Sequence, residues 1–235
     1  MTAPREARHL RDELDFLRSQ LLEMAGLAED LVEMAVAALV ANDEEKADAV
    51  ILGDRELDAM EVEIEDACIS LLALHQPVAR DLRLITMVMR ISNDLERVGD
   101  HGVNIAESVR HLDAKPPLHR FPQVEEMARI AQGMLADSLD AFVRRDPELA
   151  RAVCLRDDRV DGLNDSLFRS LLTHMMEDPR RIGIAMSLIL VGRNLERVAD
   201  LGTNVGEDVY YLVTGTSIKH AQKLGEVGPD HAAGG

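Results

Sequence analysis

Tryptophan is absent, and two Tyr and four Phe leave aromatics at only 3% of the 235 residues. A core without large rings must draw on Leu, Ala, Val, Ile and Met, which suit helix-on-helix packing better than a sheet. Cysteine is almost missing too. Cys68 and Cys154 each fall inside a helical apolar pattern, in no spacing that suits a metal or redox pair, and read as core thiols. Cations are few: 26 Lys and Arg stand against 43 Asp and Glu, a formal charge of −17. A nucleic-acid surface needs clustered Lys and Arg, so no nucleic-acid partner is expected. Long apolar runs are also lacking. The longest, Ile182 to Val191, falls well short of the roughly 20 residues that span a bilayer. Met1 to Asp12 is charged and has no apolar stretch of the kind a secretory signal carries. These absences together predict a cytoplasmic protein with no direct membrane insertion.

What remains is a chain with 46% hydrophobic and 29% charged residues, ordinary for a folded domain. Apolar residues recur at three- and four-residue spacing nearly throughout, and no alternating strand pattern occurs. A first helix is expected from about Arg5 to Ala41, with Phe16, Leu17, Leu21, Met24, Leu27, Leu31 and Met34 as its apolar stripe. A second follows from Glu44 to Leu74, and a third starts with Pro77 inside its first turn and ends near Leu112. No helix can run through Asp113 to Pro122, which carries Pro116, Pro117 and Pro122. After it, helices are expected from Gln123 to Arg144, from Pro147 to Met176 and from Asp178 to Val213. The fold class is therefore all-α: two tandem three-helix bundles, residues 1–115 and 116–217, with a flexible C-terminal tail over 218–235.

The second bundle is a copy of the first. Leu95 to Glu107 aligns with Leu195 to Glu207, eight of thirteen positions being identical at an offset of 100. A weaker echo pairs Asp54 and Asp58 with Asp157 and Asp161. Internal duplication is the strongest organisational signal in the sequence.

The duplicated segment carries the candidate chemistry. At 100° per residue, Glu96, Asp100, Asn104 and Glu107 fall within an arc of roughly 80°, and Glu196, Asp200, Asn204 and Glu207 do the same. The apolar residues of the third helix, Leu84 to Val109, lie on the other side, so each stripe faces outward or lines a groove beside a neighbour. Like charges at i and i+4 repel, and a solvated face normally intersperses cations; Arg97 and Arg197 lie only at the edge. The second helix adds Asp54, Asp58, Glu61 and Glu65, whereas its copy offers Asp157, Asp161 and Asn164 and then changes to Phe168. Two such stripes on neighbouring helices would set hard oxygen donors around a shared point, a donor set for Mg²⁺, Mn²⁺, Ca²⁺ or iron and not a closed zinc site. The bland alternative, acidic helices facing water, needs charge but not the same residues in register. His75 and His174 each close a second helix, where a cation suits the C-terminus. His101 has Leu201 at its matching position in the copy and reads as a surface or interface residue. Gly99, Gly102 and Gly202 read as points of close helix packing, and the Met cluster (Met87, Met89, Met134, Met175, Met176, Met186) as core filler.

Gln76-Pro77-Val78-Ala79-Arg80-Asp81-Leu82-Arg83, followed by Asn93-Asp94-Leu95-Glu96-Arg97-Val98-Gly99-Asp100-His101, resembles the third helix of the PhoU family of phosphate-uptake regulators. Arg193 to Gly215 resembles that family's C-terminal repeat, and Arg8-His9-Leu10 fits its start. The resemblance implies two three-helix bundles, a homodimer, and metal clusters held on the bundle surface by paired E/D-x-x-x-D motifs. Here these are Asp54 with Asp58, Glu96 with Asp100, Asp157 with Asp161, and Glu196 with Asp200, supported by Glu61, Asn104, Glu107, Asn204 and Glu207. The ions left open are Mg, Mn, Fe or Zn, with fewer or weaker ions expected at the second site. It further implies a negative regulator that couples the phosphate ABC transporter to a sensor histidine kinase. Two other readings compete. A di-metal oxidase needs paired E-x-x-H motifs, and the chain has one, Glu6 to His9, so no enzyme is expected. A metal-free helical adaptor would use the same acidic faces.

Overall fold

The computed structural model describes residues 3–110, 112 and 121–219, with side chains from residue 9 onward. Among these described residues seven α-helices form six arms: α1 Ala3–Ala41, α2 Glu44–His75, α3 Ala79–Arg110, α4 Pro122–Arg144, a fifth arm in two pieces, α5 Pro147–Cys154 and α6 Asp157–Glu177, and α7 Ile182–Thr214. Among the described residues there is no strand. Helices α1, α2 and α3 pack on one another, and α4, α5–α6 and α7 do likewise. The two bundles meet along α3 and α7, so their interiors form one continuous core.

Local chemistry sets the arm ends. The Asp43 carboxylate accepts from the Lys46 amide at 3.1 Å and starts α2, while Asp146 accepts from the amides of Glu148 and Leu149 and starts α5. Leu17, Leu21, Leu57, Ile64, Ile91 and Leu95 are fully buried in the first bundle, and each contributes about 1.5–3 kcal/mol of transfer free energy. Met127, Met134, Leu167, Leu188 and Leu195 play that part in the second. The duplication extends to packing. A Cβ on Gly102 would stand 3.6 Å from the Leu31 carbonyl of α1, and one on Gly202 would stand 3.2 Å from the Leu135 amide of α4. These glycines bring the third arm of each bundle against the backbone of its first.

Several boundaries and faces differ from the sequence reading. Pro77 lies before α3, not inside it, because Gln76 has turned left-handed at φ 46° and closed α2. The arm expected from Pro147 to Met176 breaks after Cys154, and a 3-10 turn over Pro179–Arg181 precedes α7. Phe16 is 63% exposed, at the edge of the α1 stripe and not in it; Met176 and Met186 are exposed too. Cys68 and Cys154 are buried thiols, as expected, and burial pushes both up to about 12. The proposed boundary near residue 115 and most of the 218–235 tail lie outside the described residues.

Candidate functional site

Because only Gln76 to Val78 separate α2 from α3, the two run antiparallel and the acidic faces meet along their groove. Asp54 and Asp58 of α2 lie beside Glu96 and Asp100 of α3, with Glu61 close to Glu96. Burial, reinforced by the charges of Asp58 and Asp100, pushes Asp54 up to about 6. Glu96 is pushed up to about 7, by burial first and then by Asp100, Asp58, Glu61 and Asp54. Gly99 makes room for this approach, since a Cβ there would stand 2.6 Å from Asp54 Oδ1.

The second bundle repeats the arrangement with changes. Asp157 and Asp161 of α6 gather with Glu196 and Asp200 of α7. Burial, then Asp200, Asp161, Asp158 and Glu196, pushes Asp157 up to about 6. Arg197 reaches into this cluster and bonds Asp200 at 3.0 Å, whereas Arg97 in the first repeat turns to Asp94. Asn164, which stands where α2 has Glu61, donates its amide to Glu196 Oε2. The second cluster is thus less negative and more self-satisfied than the first.

Whether these groups suit a cation can be judged from their unmet demands. Asp54 Oδ1 and Asp157 Oδ1 are buried oxygens with no hydrogen-bond partner, one in each cluster at equivalent positions. Such oxygens cost about 1–3 kcal/mol each unless something satisfies them, and crowded carboxylates with hard oxygen donors fit a divalent ion. Among the described residues, however, no three His, Cys, Asp or Glu side chains already converge on one point. Holding an ion there requires side-chain rotation.

The supporting residues separate. Glu61 accepts from Asn93 at 3.5 Å and stays with the first cluster. Asn104 is exposed, and Glu107 lies near Arg110, which pairs with Asp48. The Asn204 side chain bonds Asp94 across the α3–α7 seam. Glu207 lies beside the Cys154 thiol and Asp208. The stripe arithmetic places Asn104 and Glu107 on one arc of α3 and Asn204 and Glu207 on the matching arc of α7, but of the four Asn204 is the one that the opposite repeat engages.

That seam was not legible as a unit. Arg90 of α3 bonds the buried Asp208 of α7 at 2.8 Å, and His101 Nδ1 lies 2.9 Å from Asn194 Oδ1. His101 is therefore an interface residue. Burial pushes Asp208 up to about 6 despite Arg90, and Asp94 is likewise raised by burial against Arg97 and Arg90. Of the terminal histidines, His75 Nε2 pairs with Glu13 at 2.7 Å, and His174 packs edge-on against Phe121. No described helix is long and apolar enough to cross a membrane.

The PhoU domain matches this chain twice, over residues 21–109 and 124–209, which are the two repeats. The chain is 42% identical over 208 residues to the phosphate-specific transport system accessory protein PhoU homolog of Aquifex aeolicus, covering 88% of this chain and 94% of that protein. It is 39% identical over 204 residues to the homolog of Zymomonas mobilis, covering 87% and 86%. The crystal structure of PhoU from Pseudomonas aeruginosa superposes with a TM-score of 0.85 at 39% identity, over 88% of this chain and 99% of that one. That of the phosphate transport system regulatory protein PhoU from Streptococcus pneumoniae gives 0.82 at 30% identity, over 88% and 98%.

Proposed function

Because the chain belongs to the PhoU family, we propose that it is an accessory protein of a phosphate-specific transport system that restrains phosphate uptake and the phosphate-starvation response. It does so by contact, coupling the phosphate ABC transporter to a sensor histidine kinase. The observation that carries this reading is the match of both repeats to proteins named for that system, over 86% and 94% of two relatives' lengths. As a dimer of two copies it would present its helical faces in pairs to those partners.

Metal ions belong to the same reading. Asp54, Asp58, Glu96 and Asp100 would hold one set, with Glu61 in support, and Asp157, Asp161, Glu196 and Asp200 the other. A bound Mg, Mn, Fe or Zn ion supplies positive charge that offsets the repulsion among these carboxylates. The chain's own part is to present the oxygens: α2 and α3 hold one set in register, α6 and α7 the other. Asn164 and Arg197 already offset charge in the second, so the first set is the tighter.

Elemental analysis of the purified protein, wild type beside Glu96→Ala/Asp100→Ala/Glu196→Ala/Asp200→Ala, tests the metal. The expected outcome is metal in the wild type, lost in a variant that stays helical. Deleting the gene should raise a phosphate-starvation reporter in phosphate-rich medium, and repression that survives the deletion would refute the regulatory role. The competing reading is a metal-free adaptor that docks through the same acidic faces. Under that reading chelation leaves binding to the transporter and kinase unchanged.

A further inference from the structure

Away from both carboxylate clusters, the chain gathers cations. Arg18 of α1, Arg80 and Arg83 of α3, and Arg145 at the end of α4 line one cavity of about 110 Å³, with Asp81 and apolar side chains of α3 and α7 in the rest of its wall. Two helices of the first repeat and the α4 cap of the second thus bring four arginines to the wall of one small space. In a chain with 43 acidic and 26 basic residues, arginines normally find a carboxylate. Arg18 has one, Asp15 at 2.9 Å. Among the described residues Arg80, Arg83 and Arg145 have none, although Asp81 lines the same cavity.

Two backbone features bear on this gathering of positive charge. Arg83 lies against Gly215, where a Cβ would stand 2.2 Å from its terminal nitrogen, and Gly215 is left-handed at φ 75°. Any side chain there would displace the guanidinium. Arg80 lies in the first turn of α3, whose end carries partial positive charge that adds to its own. The volume is well below the roughly 300 Å³ at which pockets begin to take drug-sized ligands, so the cavity cannot enclose a whole nucleotide.

We propose that this cavity binds a single phosphate group, either inorganic phosphate or the phosphoryl end of a small ester. Arginine's planar fork matches phosphate oxygens two at a time. Asp81 supplies selectivity. A carboxylate beside four guanidiniums repels sulfate, which has no proton to offer, but accepts a hydrogen bond from the hydroxyl of hydrogen phosphate. The site needs neither metal nor the carboxylate clusters and stands apart from the regulatory reading.

Isothermal titration of the full-length protein in chelator, with inorganic phosphate, methyl phosphate and sulfate in turn, tests it. Saturable binding at one site per chain is expected, weakened at least about tenfold by Arg80→Gln/Arg83→Gln. Arg144→Gln, which removes a charge paired with Asp140 outside the cavity, should leave it unchanged. Tighter binding of inorganic phosphate than of methyl phosphate identifies the free ion as the source, and the reverse identifies an ester. Sulfate should bind at least about tenfold more weakly than phosphate, and Asp81→Asn should close that gap. If the double variant fails to fold, Arg145→Gln and Gly215→Ala probe the same cavity from the other repeat. No saturable binding of either phosphate compound, or binding indifferent to every cavity variant, overturns the proposal. Equal affinity for sulfate overturns the role of Asp81.

Discussion

Replacing Glu96 by Gln should stabilise the metal-free protein, although it removes a charged residue from an acidic helix. Glu96 stands at about 7 against an ordinary 4.5, because burial and four carboxylates oppose its charge. Taken at face value the difference corresponds to about 3 kcal/mol. Glu96 is only half-buried, and solvent screens most of that, leaving about 1 kcal/mol. For a chain of this size 1 kcal/mol raises Tm by about 2–4 °C. The sign follows from linkage. A carboxyl whose folded value is raised binds its proton more tightly when folded, so wild-type stability is lost as pH rises from 4.5 through about 7 and is level above. The Gln variant lacks this loss. Its advantage should therefore be full near pH 8, absent near pH 4.5, and smaller at high salt. Helical melting followed at 222 nm in chelator measures it, wild type and variant side by side so that the other titrating groups cancel. A variant melting at or below wild type near pH 8, or an advantage that persists to pH 4.5, would refute the electrostatic account. Added Mn²⁺ should reverse the ranking, since only the wild type keeps the full set of oxygens.

Other perturbations test the scaffold. Arg90→Ala should cost about 2–3 kcal/mol near pH 8 by stranding the buried Asp208, and less near pH 5, where Asp208, standing at about 6, is protonated; denaturant melts at the two pH values compare them. Gly206→Ala should cost about 1–3 kcal/mol, because its Cβ would stand 2.9 Å from the Ala150 carbonyl; an unchanged melting temperature would mean that α5 yields freely. Gln76→Gly should stabilise by about 0.5–1 kcal/mol, since the residue after α2 is left-handed at φ 46°; urea unfolding reads the gain as a higher midpoint at constant slope.

The six arms and both acidic groups were legible because both depend on short-range regularities. The 3.6-residue period located the arms, and the offset of 100 showed that Glu96, Asp100, Glu196 and Asp200 recur together. The facing of Asp54 and Asp58 onto them follows from a hairpin of three linking residues. What escaped depends on contacts between the repeats. Asn204 shares the arc of Glu196 and Asp200, yet Asp94 from the other bundle takes its side chain. Asn164 was visible at the position of Glu61, but only the structure turns its amide onto Glu196. The break after Cys154 has no Gly or Pro to announce it. Its trace is a lapse in the apolar register, where Leu155 lies 63% exposed between buried Cys154 and Val160. Arg80 and Arg83 are one helical turn apart, but only folding joins them to Arg18 and Arg145.

The broken fifth arm makes the two acidic groups unequal in time as well as in charge. Asp54 sits inside the unbroken α2, more than two turns from either end, and can leave its neighbours only if a long helix opens. Asp157 is the first residue of α6 and lies just past an irregular step with no side-chain cap. Fraying of a single turn, among the least protected motions a helix makes, would carry Asp157 out of its cluster and back. Amide exchange at residues 157–160 should therefore run far ahead of that at 54–57. On that expectation one copy of the duplicated half would keep a fixed set of oxygens, and the other a set that opens and closes.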